Sequence, residues 1–297
     1  MKIHKIATLA GHNAAVYALA LTDTHDELLT ADGNGWIVSW DLTKPELGKL
    51  IARTDVSVFS LLYSNGRLLV GTLSGNVYVI QRGSGEVLKN YAVHRKGVFR
   101  IVIHQQHIYS LGGDGCLTKW DAAEMRPAET LQVSANSLRS IDFLEATNEA
   151  IIGGSDGSIY IINLATMTVV RQIQQAHKHS VFCLKYLPNY NSVVSGGRDA
   201  TLRYWDISTW KTIQEVPAHW YTINDIALLA NGTKFATASR DKTMKIWNGE
   251  TGSLEKVINT IKSGGHHRSV NVLMADNHRL YSGSDDGTII VWDIEMD

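Results

Sequence analysis

"SGSDDGTIIVWD", Ser282 to Asp293, is a turn followed by a strand-like run that closes on a Trp-Asp pair. The same order of residue types returns at "TADGNGWIVSWD" (30–41), "SLGGDGCLTKWD" (110–121), "SGGRDATLRYWD" (195–206) and "TASRDKTMKIWN" (237–248). Two weaker copies read "VGTLSGNVYVIQ" (70–81) and "IGGSDGSIYIIN" (152–163). Measured at the Trp position, the copies fall at Trp40, Ile80, Trp120, Ile162, Trp205, Trp247 and Trp292, at spacings of 40 to 45 residues. A second signal keeps step with the first: His12, His94, His177, His219 and His266 are each followed four residues later by Val or Ile. Self-similarity at a fixed period marks a chain built by repeating one supersecondary unit.

Between these signals, short runs rich in Val, Ile, Tyr, Thr and Trp alternate with Gly, Asn, Asp and Ser, and no segment sustains a helical apolar period. That is an all-β pattern. The 28 basic and 29 acidic residues among 297 leave no overall field to hold nucleic acid or an anionic membrane. Cys116 and Cys183 have no partner at metal-ligand spacing, which excludes a disulfide framework and fits a reducing compartment. The N-terminal stretch has a basic start and small residues like a secretory signal, but its apolar part is short and interrupted by His12. No run approaches the ~18 apolar residues of a membrane span.

With "GH" near the start of a unit of this length and "WD" near its end, the chain resembles the WD-repeat family of β-propellers. The resemblance covers the whole chain and is specific in five of the seven units. It implies a seven-bladed all-β propeller of four-stranded antiparallel blades around a central channel, one domain over residues 1–297. Each unit is followed by a further strand before the next His, as in "GEVLKNYAV" and "WKTIQEVPA", but the seventh is not. Residues 2–10, "KIHKIATLA", match the missing strand in type and position, so the ring is expected to close by pairing the two ends.

Four positions change together among the units. Units one, three, five, six and seven carry the His, a hydroxyl residue (Thr30, Ser110, Ser195, Thr237, Ser282), a turn residue (Asn34, Asp114, Asp199, Asp241, Asp286) and the Trp. Units two and four have no His, with Val70 and Ile152 at the hydroxyl position and Ile80 and Ile162 at the Trp position. A buried network behaves this way, because one unsatisfied buried group costs about 1–3 kcal/mol whereas replacing every partner by apolar groups is nearly neutral. The family resemblance implies a bond chain from Trp indole to hydroxyl to His to turn carboxylate. On that reading the histidines are structural, Asn34 replaces Asp in unit one, and Asp156 of unit four bonds its own turn.

His177 with His179, His104 with His107 and His266 with His267 each offer half of a metal site, without a third ligand nearby in sequence. No Gly-rich phosphate loop or nucleophile elbow is present. No metal, cofactor or catalytic residue is therefore assigned.

In the first strand of each unit, pairs such as Val16 and Leu19 or Val98 and Ile101 set the buried side. The residue after the first member reads Tyr17, Phe59, Phe99, Arg139, Phe182, Asn224 and Asn271 around the seven units. By family resemblance this position and the residue before the turn Asp (Gly33, Leu73, Gly113, Ser155, Arg198, Arg240, Asp285) ring the upper channel opening, where partners are held. Arg139, Arg198 and Arg240 are expected on one side of it and Tyr17, Phe59 and Phe99 on the other, with Trp220 and Tyr221 adding to the rim. Aromatic and Arg-rich patches are typical of interface hot spots, and an Arg cluster suits an acidic or phosphorylated segment. Deeper in the channel, Arg100, Asp142, Lys185 and Asp225 face inward, and Asp142 is expected to pair with Lys185 on the neighbouring unit.

The sequence thus reads as a monomeric, cytoplasmic, non-enzymatic scaffold for a protein or peptide segment, without nucleic acid or membrane as partner. The alternative is a propeller enzyme or small-ligand or metal-binding protein with its site in the channel.

Overall fold

The computed structural model describes residues 2–276 and 278–295. They form seven four-stranded antiparallel sheets, and in six of them the strands follow one another along the chain. Blade 1, for example, is Val16–Leu21, Glu27–Asp32, Trp36–Asp41 and Gly48–Arg53. The seventh takes Val270–Ala275, Arg279–Ser284 and Thr288–Glu295 from one end of the chain and Lys2–Ala10 from the other. Lys2 faces Glu295 and Ala10 faces Thr288, with a bulge between Lys5 and Ala7. The one-turn helix Thr260–Ser263 precedes blade 7 and occupies the extra length of its repeat.

Burial peaks at the second strand of each blade and falls toward the outer one. The second strand of each blade is buried on both faces, so Leu28, Leu29, Thr30 and Ala31 are buried in succession. The outer strand Thr168–Ile173 is almost wholly exposed.

The apolar core is not one mass but seven clusters, each shared by two adjacent blades. Trp40 packs with Leu9, Val272 and Tyr281 in the seam with blade 7, and Trp120 with Leu69, Val77 and Val79 in the seam with blade 2. Ile80 and Ile162 fill the corresponding places in blades 2 and 4. A unit cannot bury its own Trp; the preceding blade does so, which is why such repeats are stable only as an array. The N-terminal strand serves two seams, Ile3 with blade 6 and Leu9 with blade 1.

At the turn between second and third strands the chain needs a left-handed residue. Gly115 (φ +81°) meets that need, and a Cβ there would lie 1.9 Å from the Ser134 carbonyl oxygen. Ala200 and Lys242 adopt positive φ at the same turn in blades 5 and 6.

Candidate functional site

Every innermost strand carries a β-bulge one residue after its start, and the extra residue is Tyr17, Phe59, Phe99, Arg139, Phe182, Asn224 or Asn271. A bulge re-aims a side chain out of the regular alternation. These seven therefore turn toward the channel mouth, and six of them lean on the next blade. Tyr17 stacks on Phe59 with centroids 5.1 Å apart and Phe59 on Phe99 at 5.5 Å. The Arg139 guanidinium lies over Phe99 at 3.9 Å and over Phe182 at 5.5 Å. Asn224 donates to the Val270 carbonyl (2.8 Å), and Asn271 donates to the Val16 carbonyl (3.3 Å) and to Asp285 (2.8 Å). The result is a collar around a mouth cavity of about 230 Å³.

Arg139 lies within the aromatic arc rather than on an opposite, arginine side of the ring. Its Nε donates to Ser155 Oγ (2.9 Å), and among the described residues no carboxylate lies within ion-pair distance. Burial pulls its guanidinium below the usual arginine range, yet arginine remains a cation in proteins. Arg198 and Arg240 stand exposed farther out, as do Leu73, Trp220 and Tyr221, Trp220 being 89% exposed. The Trp220 amide donates to Asp241 (3.1 Å) and the Tyr221 carbonyl accepts from Ser239 (3.2 Å), fixing that loop. Burial, and then the charge of Asp285, raise the Tyr17 phenol.

Below the rim lie the hydrogen-bond chains. In blade 3 Trp120 donates to Ser110 (3.0 Å), Ser110 meets His94 Nε2 (2.9 Å), and His94 Nδ1 meets Asp114 (3.1 Å). The corresponding bonds join Trp205, Ser195, His177 and Asp199; Trp247, Thr237, His219 and Asp241; and Trp292, Ser282, His266 and Asp286. Burial alone would raise the carboxyls of Asp199, Asp241 and Asp286, but bonds and charge from their histidines outweigh it and hold them well below the usual carboxylate range. Burial lowers His94 and His219, against the pull of their aspartates.

Blade 1 departs from the sequence reading. Asn34 is exposed and takes no part; Asp32 bonds His12 Nδ1 (2.8 Å), while Thr30 joins His12 Nε2 (2.7 Å) and Trp40 (2.9 Å). The reason is geometric. A Cβ at Gly112, the place in blade 3 that Asp32 holds in blade 1, would lie 2.2 Å from both Asp114 Oδ1 and His94 Nδ1. A carboxylate from the strand end therefore occupies the space otherwise filled from the turn, and two would collide. Asp32 also caps its turn, accepting from the amides of Asn34 and Trp36 (2.9 Å each).

Blade 4 holds a substitute network. Asp156 accepts from the Ser158 amide (3.0 Å) and from the Tyr160 hydroxyl (2.5 Å), and Ser134 stands in the His position, 3.1 Å from that hydroxyl. Tyr160 lies two residues before the Trp position, where blade 5 has Arg203, itself 2.9 Å from Asp199. Variation at that position is the signal that would have pointed to both.

Within the channel Lys185 donates to Asp142 (3.1 Å), and the second Asp142 oxygen accepts from the Tyr186 amide (2.7 Å). Arg100 and Asp225, on blades 3 and 6, meet at 2.5 Å, and Asp225 further accepts from the amides of Ile226 and Leu273 (3.0 Å each). Among the described residues no group of three His, Cys, Asp or Glu side chains converges as a metal site, and His267 instead lies against Asp286 (3.3 Å). Among the described residues no helix is long and apolar enough to cross a membrane.

Comparison with known proteins gives the lineage of this geometry. Residues 3–41, 168–206, 210–248 and 255–293 match the family model described as WD domain, G-beta repeat. Autophagy-related protein 16 of Arabidopsis thaliana is 22% identical over 78% of the chain and 46% of its own length. A guanine nucleotide-binding protein subunit beta of Zea mays is 26% identical over 63% of the chain and 52% of its own. The chain thus spans about half the length of these curated relatives. The crystal structure of the WD40 β-propeller domain of Doa1 superposes with a TM-score of 0.87, covering 99% of this chain and 97% of that one at 20% identity.

Proposed function

The chain belongs to the WD domain, G-beta repeat family, and we propose that it is a non-enzymatic scaffold that holds an acidic or phosphorylated segment of another protein at the collar of its channel. Propellers of this family typically serve as protein-interaction scaffolds and are generally not enzymes. The observation that carries the reading is Arg139, a half-buried cation sandwiched by Phe99 and Phe182 without a carboxylate of its own. A guanidinium already partly stripped of water and oriented by Ser155 has less solvation left to lose when an anion arrives. Tyr17, Phe59, Phe99 and Phe182 supply rigid apolar walls around it. Arg198, Arg240, Trp220, Tyr221 and Asp285 form the outer contacts.

The whole chain, residues 1–297, acts on this reading as a single monomeric domain. The cytoplasm suits its two unpaired cysteines, Cys116 and Cys183. No cofactor, nucleic acid or membrane enters the scheme.

The test is affinity capture from the native cell with wild-type protein, Arg139→Ala, and the triple variant Phe59→Ala, Phe99→Ala, Arg240→Ala. Partners held by the wild type are expected to be lost from both variants while thermal unfolding stays within a few degrees. Undiminished capture by both would overturn the reading.

A further inference from the structure

Below the collar the channel is lined by two more rings, read from the same seven strands. Two residues after each strand start stand Ala18, Ser60, Arg100, Ser140, Cys183, Asp225 and Val272; four after it stand Ala20, Leu62, Val102, Asp142, Lys185, Ala227 and Met274. Chemistry divides them. Blades 7, 1, 2 and 3 present Met274, Ala20, Leu62 and Val102, whereas blades 4 and 5 present the Asp142–Lys185 pair. The Arg100–Asp225 ion pair runs between the two sides, from blade 3 to blade 6.

The space is split accordingly. On the polar side a cavity of about 120 Å³ lies against Ser140, Cys183, Lys185 and Asp225. On the apolar side a larger one, about 330 Å³, runs along blades 7, 1, 2 and 3. Blade 1 makes the room: it has alanine in both rings, at positions where blade 2 carries Ser60 and Leu62 and blade 3 carries Arg100 and Val102. This apolar lobe shares Tyr17, Phe59, Arg100 and Val272 as walls with the mouth cavity above it.

We propose that the lobe is the anchor pocket of the docking face, receiving a bulky aliphatic or methionine side chain of a segment whose Asp or Glu carboxylate rests on Arg139. This rests on the collar reading above and narrows it. The lobe offers no free charge, because Arg100 is neutralised by Asp225 and the Ser60 hydroxyl is taken by the Ile101 amide at 2.6 Å. A charged side chain entering there would meet no counter-charge, whereas an apolar one gains by burial against Ala20, Leu62, Val102 and Met274. A carboxylate fits the mouth better than a phosphate, since Arg139 balances a single negative charge and a phosphate brings nearly two. From Arg139 the path over Phe99 and Phe59 to Tyr17 has centre-to-centre steps of 3.9, 5.5 and 5.1 Å. An extended segment covers such a path in about four residues.

The experiment uses degenerate libraries of acetylated, amidated octapeptides with one fixed Glu and one guest residue about four positions away, Gly, Leu, Met or Lys. Binding to the full chain is read by fluorescence anisotropy. Leu and Met guests are expected to bind at least tenfold tighter than Gly or Lys guests, and exchanging Glu for phosphoserine to weaken binding. Ala20→Leu, which fills the lobe, should erase the gain from Leu and Met while leaving Gly-guest binding in place; Val102→Phe serves the same end should Ala20→Leu fail to fold. Equal binding of Gly and Leu guests, still dependent on Arg139, would overturn the anchor and leave the collar reading standing. Binding independent of Arg139, or no binding by any library, would overturn the collar reading and the anchor with it. Tighter binding of phosphoserine would overturn the carboxylate assignment.

Discussion

Arg100 of blade 3 reaches Asp225 of blade 6 across the channel, 2.5 Å between guanidinium and carboxylate, although 125 residues separate them. Asp225 is nearly buried and ties the ion pair to the backbone of its own blade and of blade 7 through the Ile226 and Leu273 amides. One carboxylate thus links three of the seven blades.

Asp225→Ala leaves Arg100 unpaired and frees two buried amides. Breaking a buried pair costs about 3–5 kcal/mol, and partial solvation of Arg100 brings the expected loss to roughly 2–4 kcal/mol. Urea unfolding measures it. The double variant with Arg100→Met is expected to be less damaged than the sum of the single changes, and strict additivity would show that the contact carries no coupling.

Asp32, not Asn34, completes the His12 network of blade 1. Asp32→Ala is expected to cost about 2–3 kcal/mol, since it strips His12 and two turn amides of their acceptor. Asn34→Ala should stay within about 0.5 kcal/mol. The reverse ranking in thermal or urea unfolding would assign the role to Asn34.

Residues 2–9 supply most of the outer strand of blade 7 and bury Ile3 and Leu9 in two seams. Their deletion should expose the edge of Thr288–Glu295 and open the ring, giving aggregation or a loss of cooperative unfolding. A deletion variant that sediments as a monomer with unchanged unfolding would contradict the closure.

Acid should weaken the fold in two stages. His94 and His219 titrate below the ordinary 6.5 in the fold, so as pH drops past about 6.5 the unfolded chain takes up protons first and stability declines. Asp199, Asp241 and Asp286 titrate below the ordinary 3.8, so their contribution is complete above about pH 4 and is lost as pH falls from there toward their folded values. Urea midpoints at pH 7.5, 5.5 and 3.5 should fall in that order. His219→Gln should shrink the first drop, and a midpoint that rises on acidification would reverse the sign.

The turn aspartates, hydroxyls, histidines and tryptophans were legible because a buried network must be kept or abandoned as a set, and five units keep it while two abandon it. The pairing of Asp142 with Lys185 was legible for a similar reason, since adjacent repeats place equivalent residues side by side. Asp32 was not. It sits one strand alternation away from the expected residue, and only the shared space around His12 makes the two positions interchangeable. Tyr160 escaped because its hydroxyl fills a histidine's place from a different strand position.

The sequence by itself determined the number of blades, their strand order and the closure through residues 2–10, because each of these follows from a local pattern repeated at a fixed period. The tertiary structure decided what the channel is. Ring closure brings Arg139 between Phe99 and Phe182, sets Arg100 against Asp225 and leaves an apolar lobe beside the alanines of blade 1. Those relations join side chains from different blades, and no periodicity along the chain encodes which residues meet when the blades are bent into a circle.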